Sequence, residues 1–443
     1  MKLKMKYRKY FAFICFVIVL FYLRSKHISG GNQISAISEA QLGEVDIYEL
    51  ITLVGSNKSL TYEAMELFKR KYSNKTVFIT DPHMEAKYST IYGNTERIFI
   101  CHFDTALEVL KMFGHLISSL RVEYSESYIS RNNPSKINKF INLYCSASLT
   151  ELSVDARDVN LFRDMIKPFE KVKVLFLGGQ FKTLASSDLS FVELFPAVHD
   201  LYLQHLQITN NKCIDQEFIH LKYLYVQLCY NDEPTQFCSN ETDIEKLLRK
   251  NPQIQALSLT YSSPKFLNIV YKVLRNITDL TLISYNPRRE PNEGDAEDII
   301  FEYVTNFTLV TGMGEVPFNI FFKNLKELHI EATSDWFILA ERNQNLEKLF
   351  MDGGYVDNEQ FMRIVGVDSK LVETTLYIGE NVWDESVITF IKNSKHLRKV
   401  TFFSENLKLF DNNFWLEFKD EWRITQFTVA TMLERQFWTS GLE

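Results

Sequence analysis

One six-residue pattern, apolar-x-x-apolar-x-apolar, recurs along most of this chain of 443 residues. It reads "LTELSV" (149–154), "VKVLFL" (172–177), "VHDLYL" (198–203), "LKYLYV" (221–226), "IQALSL" (254–259) and "ITDLTL" (277–282). It continues as "VTNFTL" (304–309), "LKELHI" (325–330), "LEKLFM" (346–351), "LRKVTF" (397–402) and "ITQFTV" (424–429). "ETTLYI" (373–378) breaks its first position with Glu373. A weaker set, "NKTVFI" (74–79), "TERIFI" (95–100) and "ISSLRV" (117–122), precedes these. A period of roughly 21 to 33 residues signals a repeat architecture.

The spacing has a physical meaning. In "LKYLYV", Leu224 and Val226 point to one side of a short strand and Tyr225 to the other. One such strand cannot bury its apolar side alone, whereas stacked copies form a parallel sheet with a continuous core. The segments "IEKLLRKNPQ", "FLNIVYKVLRN", "DWFILAERNQN" and "DESVITFIKNSK" precede strands and carry apolar residues at helical spacing. Each repeat therefore reads as helix, turn, strand. An α/β solenoid follows, with the sheet on its concave face and mainly helices on its convex face. Polar residues interleaved within the strands, such as Ser153, Ser258 and Thr281, argue against an ordinary doubly wound sheet.

The repeats resemble those of leucine-rich repeat proteins, in particular the cysteine-containing type common in F-box proteins. "VHDLYLQHLQITNNKCI" and "LEKLFMDGGYVDNEQFMRIV" carry the resemblance, which departs from the family in having almost no Cys or Asn at the turn position. Cys229 and the pair Asn210–Asn211 are the few candidates for that turn. Ahead of the repeats, "EVDIYELITLV" and "YEAMELFKRKYSNKTVFI" resemble the two ends of an F-box whose middle is missing. The resemblance implies a horseshoe-shaped interaction module over residues 74–443, capped by a helical, degenerate F-box-like segment at 44–73.

The N-terminus is a separate object. Seven of the 49 basic residues and none of the 56 acidic ones fall in residues 1–26, which leaves the rest at −14. Such a body lacks the clustered Lys and Arg that nucleic acid requires. Tyr10 to Leu23, "YFAFICFVIVLFYL", rises about 21 Å as a helix, short of the ~20 residues that usually span a bilayer. Its length favours a signal peptide, whereas Arg24, Lys26 and the lack of a small-residue cleavage site favour an uncleaved anchor. Either places the body outside the cytosol, behind a linker at 27–43. The F-box-like stretch implies the alternative, a cytosolic substrate receptor that docks a ubiquitin-ligase adaptor.

Sequons occur at Asn57, Asn74, Asn240, Asn276 and Asn306, of which Asn240 and Asn57 are the favoured glycan sites. Cys213, Cys229 and Cys238 are near enough in sequence for one disulfide among them, with free buried thiols the equal alternative. No His-Glu-x-x-His, phosphate loop or Gly-x-Ser-x-Gly elbow is present, and no Asp-x-Asp. The spacing of His205, His220, Cys213 and Cys229 matches no common zinc finger. The expectation is a protein without catalytic residues, cofactor or metal. Gly178 and Gly179 read as a tight turn after their strand.

Binding is expected on the concave sheet, through the outward residue of each strand. Phe176, Tyr202 and Tyr225 form one aromatic cluster there, flanked by Gln204 and Gln227, and Phe350 and Tyr377 form a second pair. Aromatic side chains are enriched at binding hot spots. Glu331 and Asp352 add acidity, which favours a protein ligand of basic character.

Overall fold

The computed structural model describes residues 46–56, 61–80, 97–124, 134–157, 165–181, 190–208, 216–227, 241–260, 264–283, 298–310, 320–331, 337–343, 345–352, 370–377, 384–403, 418, 422–426 and 430–435. The chain divides into two compact units, Met1–Ser73 and Asn74–Glu443.

In the first unit, α1 (Ile47–Ser56) and α2 (Thr61–Tyr72) are the described elements. Asp46 and Glu49 cap α1 reciprocally. The Glu49 N–H donates to Asp46 Oδ1 at 2.7 Å, and the Asp46 N–H donates to Glu49 Oε2 at 3.0 Å. Two orphan donors of the first turn are thereby satisfied. Leu50 and Phe68 are fully buried.

The second unit is built on one long open sheet of mixed α/β architecture. Its strands are β1 (Thr76–Ile79), β2 (Arg97–Ile100), β3 (Ser119–Tyr124), β4 (Glu151–Arg157), β5 (Val174–Phe181), β6 (Asp200–Ile208) and β7 (Tyr223–Gln227). They continue as β8 (Ala256–Thr260), β9 (Asp279–Ile283), β11 (Asn306–Val310), β13 (Glu327–Glu331), β14 (Lys348–Asp352), β15 (Glu373–Tyr377) and β16 (Lys399–Phe403). These 14 strands pair in parallel. β17 (Trp422–Gln426) and β18 (Ala430–Arg435) complete the sheet as an antiparallel hairpin against β16.

The hexamer frame sets the register. Leu201, Leu224, Leu257 and Leu280 are Cα partners in succession, as are Tyr202, Tyr225, Ser258 and Thr281. Burial alternates along β7, so Leu224 and Val226 are fully buried while Tyr223, Tyr225 and Gln227 are half-exposed; in β8, Ser258 and Thr260 are buried as well. Burying such a leucine contributes about 1.5–3 kcal/mol. At the entry to the strands, each backbone carbonyl accepts two N–H groups from the next repeat. Ser118 O accepts from Thr150 and Glu151, Thr150 O from Lys173 and Val174, and Lys173 O from His199 and Asp200. The ladder runs on through His199, Lys222, Gln255, Thr278, Thr305, Lys326, Glu347 and Val372 to Arg398 and Lys399.

The expected helices are present where the covering segments were read. They include α6 (Glu241–Lys250), α7 (Pro264–Val273), α8 (Phe337–Arg342) and α9 (Asp384–Asn393). Helix α6 has Glu241 and Asp243 in its first turn and Arg249 and Lys250 in its last, matching the helix dipole. Ile244, Leu247 and Leu248 form its buried stripe. Earlier in the chain come α3 (Phe103–Phe113), α4 (Pro134–Cys145) and α5 (Phe191–Leu194). Around β11 the connections hold strands instead. β10 (Ile299–Phe301) and β12 (Ile320–Phe322) pair in parallel as a second small sheet. Their Ile and Phe residues suit strands better than helices. Phe322 stacks on Phe301 at 5.7 Å and meets the buried Phe307 ring at 4.8 Å.

Four features differ from the sequence reading. First, β1 lies between β3 and β2, so the two weakest copies enter the sheet out of chain order. Second, "ITQFTV" is not the last parallel copy, because β17 joins the sheet only through the antiparallel β18. Third, Gly178 and Gly179 are not a turn. They continue β5, with a register shift between Gly178 and Gln180 where it pairs with β6. Fourth, the frame of "ETTLYI" is displaced by two residues: Thr374, fully buried, is the Cα partner of Leu349 and Val400. Leu371, also buried, opens that copy.

The repeats are also tied by buried asparagines. Asn142 on α4 accepts the N–H groups of Ile166 and Lys167, both at 3.0 Å, and donates to Lys167 O at 2.7 Å. Asn251, just after α6, accepts from the Phe218 N–H at 2.7 Å and donates to Gln216 O at 3.0 Å and Leu247 O at 2.8 Å. The turn candidates Asn210, Asn211 and Cys229 lie outside the described residues.

Candidate functional site

The sheet has one face of buried aliphatic residues and one face of half-exposed residues. On the second face, the central residues of the strands form a row. Arg121, Ser153, Phe176, Tyr202 and Tyr225 are consecutive Cα partners across β3 to β7. Phe176 and Tyr202 stack with ring centroids 5.9 Å apart. Tyr202 also meets Tyr225 at 6.1 Å and Tyr223 at 5.1 Å. Tyr223 stands one alternation earlier on the same face as Tyr225. The i, i+2 rule that selected Tyr225 therefore selects Tyr223 as well. The Tyr225 hydroxyl lies 3.1 Å from Thr260 Oγ1.

The acidic groups of this region are Glu151 and Asp200. They lie near enough to Tyr202 to help raise its hydroxyl pKa, after the larger effect of burial. Tyr223 is pushed up to about 12, chiefly by burial, with Tyr202, Tyr225 and Asp200 adding to it and a hydrogen bond with Ser258 opposing it. Glu151 accepts the Ser119 hydroxyl at 3.1 Å.

At the β1 end of the row the chain supplies its own cation. The Arg121 guanidinium lies 5.9 Å from the Phe176 ring and 5.6 Å from the Phe78 ring, and it pairs with Glu123 at 2.7 Å. Arg97 covers Phe78 as well, at 5.4 Å. Phe78 is thus buried although it belongs to the half-exposed face. Arg121 reaches across the strand of Ser153, a buried residue whose hydroxyl has no hydrogen-bond partner.

The other predicted residues distribute as follows. Gln204 on β6 and Gln227 on β7 are half-buried, opposite Gly178 and Thr260. Phe350 meets His329 at 5.9 Å and helps line a shallow hollow with Asn306, Thr308 and Glu327. Phe350 and Tyr377 do not form a cross-strand pair. The partner of Phe350 is Thr375, and that of Tyr377 is Phe403, because the frame there is displaced by two. Glu331 and Asp352 are backbone partners. Around them the face carries a charge ladder: Glu327 pairs with Lys348, and Glu373 with Lys399 at 2.7 Å.

Asn57, Asn240, Cys213, Cys229 and Cys238 lie outside the described residues, as does the apolar segment 10–23. The free cysteines among the described residues are Cys101 and Cys145, both buried. No described helix is long and apolar enough to cross a membrane, and no described group of His, Cys, Asp and Glu is arranged to hold a metal. The arrangement offers π faces, hydroxyls and carboxylates on a broad surface, which suits contact with a large partner.

No known protein-family model matches the sequence, and no curated protein matches it as a relative.

Proposed function

We propose that the chain is a solenoid of the leucine-rich repeat type, with its half-exposed sheet face concave and its helices mainly on the convex side. It serves as a protein-binding module held outside the cytosol, either anchored by residues 10–23 or secreted. The observation that carries this reading is the in-register row of Phe176, Tyr202 and Tyr225, three adjacent rings on the half-exposed face. A rigid sheet presenting large, rotor-poor side chains is suited to binding a protein surface. The test is photo-crosslinking on cells, with benzoylphenylalanine at position 225 or, as control, at Lys250 on α6. An adduct at 225 and none at 250 supports the reading. Adducts at both positions, or none at 225, overturn it.

A cytosolic F-box-type receptor is the second reading, favoured by the two-helix unit α1–α2 ahead of the repeats. Co-purification with a ligase adaptor, with glycans absent from every sequon, would select it.

A further inference from the structure

The row on the half-exposed face contains two aromatic–acid arrangements, and among the described residues a cation lies in the first alone. In the first, Phe78, Phe176 and Glu123 surround Arg121. In the second, the rings of Tyr202, Tyr223 and Tyr225 adjoin one another, Asp200 is the Cα partner of Tyr223, and Glu151 stands two strands from Asp200 in the same cross-strand row. No Lys or Arg among the described residues pairs with either carboxylate; the Glu151 carboxylate accepts the Ser119 hydroxyl. Lys173 and Lys222, one residue ahead of β5 and β7, are exposed and form no ion pair with them. The buried, unpartnered Ser153 hydroxyl lies between the two arrangements, in the strand that separates Arg121 from Phe176.

We propose that the Tyr202–Tyr223–Tyr225 cluster, with Glu151 and Asp200, receives an arginine or lysine side chain from an extended segment of a protein partner. The incoming cation repeats what Arg121 on β3 does three strands from Tyr202. It lies on aromatic faces, whose quadrupole attracts it, and against carboxylates that no described Lys or Arg neutralises. Charge complementarity selects this occupant over an acidic or neutral segment. The proposal rests on the binding-face reading above and adds to it the chemistry of the partner.

The test measures fluorescence anisotropy of the full chain with a fluorescein-labelled Gly/Ser peptide carrying arginines. The same peptide with glutamine or glutamate in place of arginine is the comparison. The arginine peptide is expected to bind. Asp200→Asn and Tyr202→Ala each weaken it about tenfold, the scale of a partly desolvated cation–π contact. Tyr202→Phe, which keeps the ring and the fold, retains binding. Glu108→Gln, which removes an exposed charge on helix α3, away from this face, leaves it unchanged. Three results overturn the proposal: no arginine-peptide binding, equal binding of the glutamine peptide, or equal losses from Asp200→Asn and Glu108→Gln. A position-225 adduct combined with any of these sinks the cation assignment alone. Loss of the adduct sinks the binding face itself.

Discussion

The side-chain amide of Asn306 donates to Asp279 Oδ1 at 2.5 Å, across the adjacent strands β11 and β9. Asn306 opens the sequon Asn-Phe-Thr, yet its nitrogen is engaged and its residue half-buried within a strand. Asn276 opens the sequon Asn-Ile-Thr on an exposed turn ahead of β9. In a secretory preparation, Asn276 is expected to carry a glycan and Asn306 none. Peptide mass spectrometry after endoglycosidase treatment in heavy-oxygen water reads both sites. Occupancy at Asn306 without Asn276 would refute this.

Asn251 is fully buried and binds backbone groups on two sides, those of Phe218 and Gln216 and that of Leu247. Replacing it with alanine strands a buried N–H and two carbonyls. A loss of about 2–4 kcal/mol is expected in urea unfolding. Asn343 donates to Leu339 O at 2.6 Å, within its own helix segment. Asn343→Ala should cost about 1 kcal/mol. Equal losses from the two would show that the asparagine tie contributes little.

Gly114 is confined by packing rather than by its dihedrals, since its φ of −52° is open to any residue. A Cβ there would stand 2.8 Å from Cys145 Sγ and from Tyr144 Cβ, and 3.1 Å from the Tyr144 carbonyl carbon. Gly114→Ala should destabilise by about 1–3 kcal/mol. Cys145→Ala should restore only part of that, because the Tyr144 contacts remain. Burial pushes the Cys145 thiol well up, so iodoacetamide should label it only after denaturation.

Thr374 occupies a core position that leucine or valine fills in the flanking strands, and its Oγ1 has no partner. Thr374→Val keeps the shape and removes the unsatisfied hydroxyl. Stability is expected to stay level or rise by about 1 kcal/mol. A clear drop in melting temperature would mean that the hydroxyl is bonded in solution.

Tyr72 and Tyr223 both titrate at about 12, pushed up first by burial and then by neighbours that include Asp46 and Glu49 for Tyr72. The native state therefore holds these protons where an unfolded tyrosine, at about 10, releases them. Their contribution is complete below pH about 10 and is lost as pH rises toward 12. Unfolding midpoints should fall across that window. The Tyr72→Phe, Tyr223→Phe double variant should flatten the fall, and an unchanged slope would exclude these two groups.

The legible part of the fold is the part that local alternation determines. Leu224 and Val226 against Tyr225 gives the faces, and stacking identical frames gives the register. Where a polar Thr374 takes a core position, the apolar pattern slides to Leu376 by two residues. The faces survive because two is even, but Tyr377 moves away from Phe350. The crossover of β1 and β2 depends on long-range pairing that no hexamer encodes. Asn142 and Asn251 escaped notice because they sit in or just after helices, whereas the repeat pattern places its asparagine after the strand. At the candidate site, Phe176, Tyr202 and Tyr225 were legible by alternation. Tyr223, Glu151 and Asp200 share that face two residues before the central one, a position the hexamer frame leaves variable, so the pattern does not single them out.

The hairpin at one end of the sheet and the exchanged strands at the other have different consequences. Every interior strand offers its neighbour the same parallel, in-frame surface, so a stack of such strands has no intrinsic length. At the β18 end the strand polarity inverts. At the β2 end the order of the chain inverts. The β1–β2 pairing stays parallel and in frame, with Val77 opposite Ile98, so at that end only the chain order changes. The β18 pairing alone acts as a stop codon does in a message, written in backbone direction instead of sequence, and it closes the run of parallel copies.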